Sequence, residues 1–323
     1  MSGRISMALA KISVMGAGNV GASCAAAITA RRLGSVFLYD AVEDLAVGKA
    51  MDINQASPFF HSDSRVVGCN SAAELAGSDI IIIAAGAPRR DGMTRRDLLD
   101  ENLGVLAELG AEAAKDSPAA KVLIVTNPVE PLTWYVRNRW PGLNAFGLGC
   151  SLDTLRFRFF LAEEARASVD SVSGLVIGTH DDNMIPLVDH AAIGGVSLRH
   201  LLSPGQIATV VARTREAGTS IVRRLKTRGS YYAASHTVAA IVEAMVRSTH
   251  GVFPLSVPCP PHYGYDGLVL NLPSIVSAGG VERIVDIDLS EEELAALDRC
   301  SRSVAETIAS IKDCPSASRR ADD

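Results

Sequence analysis

No apolar run in these 323 residues approaches the roughly 20 that a membrane-spanning helix needs, so no membrane span is expected. The six cysteines (Cys24, Cys69, Cys150, Cys259, Cys300 and Cys314) are scattered, without a CxxC pair. That pattern argues against a disulfide framework or a thiolate metal site and for free thiols in a reducing compartment. The seven histidines lack ligand spacing, so no metal is expected either. Basic excess is missing as well: 31 Lys and Arg stand against 36 Asp and Glu, a formal charge of −5. General affinity for nucleic acid is therefore not expected, although clustered arginines could still receive an anion. The opening stretch MSGRISMALA has no basic segment followed by an apolar one and a cleavage site, so no signal peptide is expected. A soluble cytoplasmic protein is the expectation. There is no internal repeat and no low-complexity segment.

What is present is ordinary globular composition, 48% apolar and 21% charged. A normal core can be buried without staples, and the length suits one large or two modest domains. Lys11–Met15 reads as a short apolar strand that runs straight into Gly16-Ala-Gly-Asn-Val-Gly21 and an Ala-rich helix to about Leu33. A second strand, Ser35–Tyr39, ends at Asp40; a helix from about Glu43 to Ala56 and a strand near Val66 follow. Asp79–Ala84 and Lys121–Thr126 are apolar on both faces, as parallel strands covered by helices on each side must be. Strands alternating with helices predict right-handed βαβ units and an α/β fold with a doubly wound parallel sheet over residues 1–149. Beyond Gly149, long helices (about Ser151–Ser168, Pro204–Lys226 and Ser235–Thr249) mix with short strands such as Ser173–Ile177 and Gly267–Asn271. That predicts a C-terminal α+β domain over 150–323. Its last helix opens on the capping box Ser290-Glu-Glu-Glu293, and a loose tail begins near Lys312.

The glycine motif sits between a strand and a helix, with an acid at the end of the next strand, which is the context a Rossmann dinucleotide turn requires. Gly16 permits the tight turn, Gly18 lets backbone approach a pyrophosphate, and Gly21 lets the helix pack closely on the sheet. The helix N-terminus offers N–H groups and its positive dipole end to the phosphates. Asp40 would accept hydrogen bonds from the adenosine ribose and repel a 2′-phosphate, so NAD is the expected cofactor. A merely tight turn with Asp40 as a strand-end cap is the plainer alternative. A methyltransferase or an NAD-sensing regulator could share the same turn.

Further segments make the chain similar to the lactate/malate dehydrogenase family, in its malate-type, lactate dehydrogenase-like branch. They are Ala85-Gly-Ala-Pro-Arg-Arg-Asp-Gly-Met-Thr-Arg95, Val125-Thr-Asn-Pro-Val129, Leu152-Asp-Thr-Leu-Arg-Phe-Arg158 and Val176-Ile-Gly-Thr-His-Asp-Asp-Asn-Met-Ile-Pro186. Arg228-Gly-Ser-Tyr-Tyr-Ala233 and Ala278-Gly-Gly-Val-Glu282 add to the set, which covers nearly the whole chain from Gly16 to about Ile311. The resemblance implies hydride transfer between a nicotinamide and C2 of a small 2-hydroxy dicarboxylate, by a homodimer or homotetramer. His180 is implied as the proton carrier and Asp153 as the carboxylate that fixes its tautomer. Arg156 is implied for the carboxylate common to all family substrates, Arg89 for a second one, and Arg95 to polarise the carbonyl. Asn127 and Ser230 are implied to line the substrate pocket. Asn19, Val20, Asn102 and Thr126, with Asn127, join Gly16, Gly18, Gly21 and Asp40 as cofactor-binding positions.

The residues are chemically suited to those roles. A group titrating near neutrality is the natural proton acceptor, and of the histidines His180 alone ends a buried-looking strand (Leu175-Val-Ile177) beside carboxylates. Guanidinium forks match carboxylates. Asp153 and Arg156, three apart on a predicted helix, share a face, whereas Arg158 should point elsewhere as a surface or interface charge. Gly86–Thr94 reads as a polar loop, which the resemblance makes a lid, with Arg90 and Arg96 facing solvent. A satisfied core histidine, a helix-cap aspartate and an ordinary solvated loop are the plainer alternatives. The chain departs from the family pattern at two places: Arg90-Asp91 replaces Lys-Pro, and Asp181 replaces the glycine after the histidine. Asp181 is expected to stand in for glycine in left-handed backbone with its side chain in solvent. Lactate or another 2-hydroxy acid stays open as substrate.

Overall fold

The computed structural model describes residues 9–87, 94–226 and 229–312. The first half alternates strictly: β1 (Lys11–Met15), α1 (Asn19–Ala30), β2 (Ser35–Tyr39), α2 (Leu45–Gln55), β3 (Val66–Cys69), β4 (Ile80–Ile83), α3 (Arg95–Asp116), β5 (Lys121–Ile124), α4 (Val129–Arg139) and β6 (Asn144–Gly147). These strands pair in parallel in the order β3-β2-β1-β4-β5-β6, a doubly wound sheet that reverses direction beside β1. All four isoleucines of β4 are buried, because helices cover both faces. Each contributes about 1.5–3 kcal/mol of burial.

The second half begins with α5 (Ser151–Ala165) and five two-residue strands: β7 (Val172–Ser173), β8 (Val176–Ile177), β9 (Ile185–Pro186), β10 (Ala192–Ile193) and β11 (Val196–Ser197). Then come α6 (Leu198–Leu201), α7 (Pro204–Leu225), α8 (Tyr232–Arg247), β12 (Gly251–Pro258), β13 (Val269–Ser277), β14 (Gly280–Ile284) and α9 (Glu291–Lys312). The expected single strand over Ser173–Ile177 is instead two short ones, β7 and β8, that join different small sheets. The long antiparallel strands β12, β13 and β14 add to the edge of the parallel sheet, through Ser256 opposite Gly147, to make nine strands.

Side-chain capping sets where α3, α7 and α9 start. The Ser203 hydroxyl accepts from the Gln206 main-chain amide while the Ser203 amide donates to Gln206 Oε1, and Ser290 with Glu293 forms the box read from the sequence. Thr94 does the same with Asp97, so the chain turns helical at Arg95. Helix α1 packs against α8, and both helices bury small residues (Cys24 and Ala25, Ala239) in one core. That packing brings the glycine turn beside the second half of the chain. Among the described residues, no helix is long and apolar enough to cross a membrane.

Candidate active site

The glycine turn has the geometry its sequence requires. Gly16 sits at φ +106°, and a Cβ there would stand 2.6 Å from the Ala85 amide nitrogen. A Cβ on Gly21 would lie 1.7 Å from the Gly16 carbonyl oxygen, so only glycine allows α1 this close to β1. At Gly18 a Cβ would meet no atom within 4 Å. The turn is thus tight toward the sheet and open in front of Gly18, which fits a pyrophosphate laid across it. Asp40 braces the turn, its carboxylate accepting from the Ala17 amide at 2.6 Å and the Val42 amide at 3.0 Å.

His180 follows β8 by three residues, carried by a segment that Gly178 bends at φ +93°. Its Nδ1 lies 2.5 Å from Oδ2 of Asp153, which α5 presents with no solvent exposure. The other oxygen of Asp153 accepts from Arg156 Nη1 at 3.0 Å. One carboxylate therefore serves both the imidazole and the guanidinium. Burial by itself lowers the His180 pKa, but the Asp153 charge, its hydrogen bond and the Glu130 charge outweigh burial and leave it above its ordinary value. Burial would raise the Asp153 pKa, yet His180 and Arg156 hold it below the usual carboxylate range. Among the described residues, the buried Nε of Arg156 has no hydrogen-bond partner.

His180 and Arg156 face a cavity of about 220 Å³. Val20 of α1, Asn127, Arg156, His180 and Ser230 all line it, with Leu152, Gly149, Gly218 and Val222, which sequence reasoning did not single out. Helix α1 and the His180 cluster therefore open on one cleft. Asn102 and Thr126 lie deeper. The Asn102 amide accepts from the Ala87 amide at 2.7 Å and donates to the Asn127 carbonyl at 2.7 Å. The Thr126 hydroxyl donates to the Ala85 carbonyl at 2.6 Å. Arg89, Arg90 and Asp91, and with them most of the expected lid, lie outside the described residues; of Arg95 only the backbone is described.

Two expectations need correction. Arg158 points away from the cavity, as expected, but is more enclosed than a surface charge: it is half-buried, its Nε donates to the Gly174 carbonyl at 3.0 Å, and burial lowers its pKa. Asp181 does not occupy left-handed backbone; the positive φ in this segment belongs to Gly178. Its carboxylate is not free in solvent either, because it accepts from the Thr179 hydroxyl and the Asn183 amide, each at 2.8 Å. Sequence reasoning also missed Glu130, an acid with 5% exposure whose Oε1 accepts from the His180 amide at 2.6 Å. An acid in the first turn of a helix reads as a partner for the helix dipole, and nothing in the pattern marked it as inward.

Residues 10–142 match the family model described as the lactate/malate dehydrogenase NAD binding domain, and residues 150–314 match that of the alpha/beta C-terminal domain. With the dinucleotide turn and the imidazole cluster on one cleft, the protein is an NAD-dependent hydroxy-acid oxidoreductase. The chain belongs to the lactate/malate dehydrogenase family. It is 38% identical over 296 residues to the malate dehydrogenase of Desulforudis audaxviator, covering 91% of this chain and 96% of that one. To the malate dehydrogenase of Rhodopirellula baltica it is 37% identical, covering 94% and 98%. The crystal structure of Cryptosporidium parvum malate dehydrogenase superposes with TM-score 0.91 at 30% identity, over 95% of this chain and 100% of that one. The lactate dehydrogenase of the same organism, complexed with lactic acid and nicotinamide adenine dinucleotide, gives TM-score 0.91 at 32% identity, over 95% and 99%.

Proposed function

We propose that the protein interconverts (S)-malate and oxaloacetate. The observation that carries this reading is the His180–Asp153–Arg156 cluster opening on the cavity that Val20 also lines. When bound, NAD supplies the hydride acceptor, and as NADH the donor. In oxidation, neutral His180 takes the hydroxyl proton as hydride leaves C2, and in reduction its imidazolium returns it. Asp153 holds Nδ1–H, so Nε2 is the atom that exchanges the proton, and it stabilises the imidazolium that forms. Arg156 grips the carboxylate shared by all 2-hydroxy acids. Arg89 binds the second carboxylate, and Arg95 stabilises charge on the carbonyl oxygen. Asn127 and Ser230 line the substrate pocket, while Asn19, Val20, Asn102, Thr126 and Asp40 serve the cofactor side with the three glycines.

The malate dehydrogenases among the relatives support the dicarboxylate. Lactate is the second reading, favoured by the equally close superposition on a lactate dehydrogenase. We also place the domain boundary at 149/150, between the two family-model matches, and propose a cytoplasmic homodimer or homotetramer. Five buried free thiols among the described residues support the compartment. Exposed Leu155 and Phe159, one turn apart on α5, support the assembly.

Steady-state reduction of oxaloacetate, pyruvate and 2-oxoglutarate tests the substrate. Oxaloacetate should be preferred, and Arg89→Gln should lower its kcat/KM by about a hundredfold or more while raising that for pyruvate. Arg156→Gln should depress both. Preference for pyruvate by the wild-type enzyme, or an unchanged ratio in Arg89→Gln, would overturn the malate reading.

A further inference from the structure

A second carboxylate stands against His180 without lining the cleft. Glu130, in the first turn of α4, is 5% exposed. Its Oε1 accepts from the His180 amide at 2.6 Å and from Asn271 Nδ2 at 2.6 Å. Asn271 lies on β13 with no solvent exposure, and its orientation is fixed on both sides. Its Oδ1 accepts from the Ser256 hydroxyl at 2.7 Å, and its Nδ2 also lies 3.1 Å from Cys150 Sγ. The Asn271 backbone meanwhile pairs with Gly178 in both directions, at 3.0 and 2.8 Å. Strand β13 thus grips the short histidine-bearing segment twice, once two residues before His180 and once, through Glu130, at the His180 amide.

Geometry alone does not require an acid here. A glutamine oxygen would accept the same two hydrogen bonds without the cost of a buried charge. The charge balance around His180 supplies the reason. Asp153 and Arg156 approach from α5 and Glu130 from α4; the neighbouring thiols, Cys150 and Cys300, are pushed up in pKa, chiefly by burial, and stay neutral. Asp181 spends its carboxylate on Thr179 and Asn183. Asp153 and Arg156 cancel each other. With Glu130 ionised the cluster carries one negative charge in excess, and a proton on His180 restores neutrality. Burial raises the Glu130 pKa, while the His180 charge and two donors oppose that shift, so its ionisation and that of His180 support each other.

We infer that Glu130 is a positioning residue for His180: it anchors the histidine main chain, supplies the charge that an imidazolium balances, and is itself aligned by Asn271. This rests on the reading of His180 as the proton carrier. The test combines NMR titration of the His180 ring, identified by the signal lost in His180→Asn, with the pH profile of malate oxidation. In Glu130→Gln the ring midpoint should fall by about one unit or more, and the kinetic limb should follow it. KM for malate should stay within about twofold, because the substrate arginine is untouched. Glu130→Asp keeps the charge but withdraws it from the His180 amide, so the midpoint should hold while kcat falls about tenfold or more. A midpoint unmoved within about 0.3 unit in folded Glu130→Gln overturns the inference. If Glu130→Gln does not fold, wild-type kcat in Glu130→Asp overturns it. Activity surviving in His180→Asn would instead remove the proton-carrier reading, and the ring titration would still report whether Glu130 acts on His180.

Discussion

His180 and Arg156 share Asp153, the imidazole Nδ1 on one carboxylate oxygen at 2.5 Å and the guanidinium Nη1 on the other at 3.0 Å. Proton transfer and carboxylate recognition are thereby tied to one buried group. Asp153→Asn should cut kcat by about 10²–10⁴-fold, because the amide can donate to Nδ1 and stabilise the wrong tautomer. KM should rise as well, since Arg156 loses its anchor. The direction of the pH effect follows from the raised pKa of His180. Oxidation needs the neutral ring, so kcat/KM climbs as pH rises through that pKa. Without the Asp153 charge, burial is less opposed and the limb moves to lower pH. Stability has its own signature. The raised His180 stabilises the fold below its unfolded pKa of about 6.5, and that gain is lost as pH rises through the folded value. The lowered Asp153 contributes above about pH 3.9 and loses this as pH falls through its folded value. Urea titrations should therefore show the widest gap between wild type and Asp153→Asn at about pH 4–6.5. A gap that widens steadily toward alkaline pH would contradict the linkage.

Asp181 makes a structural rather than an electrostatic contribution. Its carboxylate caps the turn after His180 by accepting from Thr179 and Asn183, both at 2.8 Å. Asp181→Gly removes both bonds and frees the unfolded chain, which should cost about 1–2 kcal/mol in stability. The histidine limb of the kcat/KM profile should move by less than about 0.3 unit, because the raised pKa of His180 comes from Asp153 and Glu130. An acid-side shift above about one unit would show that it reaches the ring.

The parts of this fold legible in the sequence are those set by local pattern. Ile80–Ile83 is apolar at every position because its strand is covered on both faces, and the Gly16–Gly21 motif specifies its own turn. The start of α9 followed its capping residues, Ser290 with Glu293. Pairings between distant segments were not legible. Nothing local in β12 tells that Ser256 will lie opposite Gly147 and extend the first sheet. The pairing of His180 with Asp153, 27 residues apart, came from family resemblance and not from spacing. Glu130 and Asn271 were missed for the same reason: each has an ordinary place in a helix turn or a strand, and only the fold brings them together.

Cofactor choice rests on Asp40. Its two oxygens are held by the Ala17 and Val42 amides, so the carboxylate is fixed at the edge of the glycine turn. Ala41, Val42 and Glu43 follow, and none offers a cation for a 2′-phosphate; Glu43 and Asp44 add negative charge. A phosphate carrying about −1.5 to −2 charge would meet uncompensated carboxylates, whereas ribose hydroxyls would find acceptors. NADH should therefore be preferred over NADPH by at least about tenfold in kcat/KM, which is about 1.4 kcal/mol of discrimination. Asp40→Asn keeps an acceptor for the Ala17 amide while removing the charge. It should raise kcat/KM with NADPH and lower that with NADH, narrowing the ratio from both sides. Both coenzymes can be compared by absorbance in one assay at fixed oxaloacetate. Equal use of the two by the wild-type enzyme would show that Asp40 only braces the turn, and the selectivity would have to come from another part of the cleft.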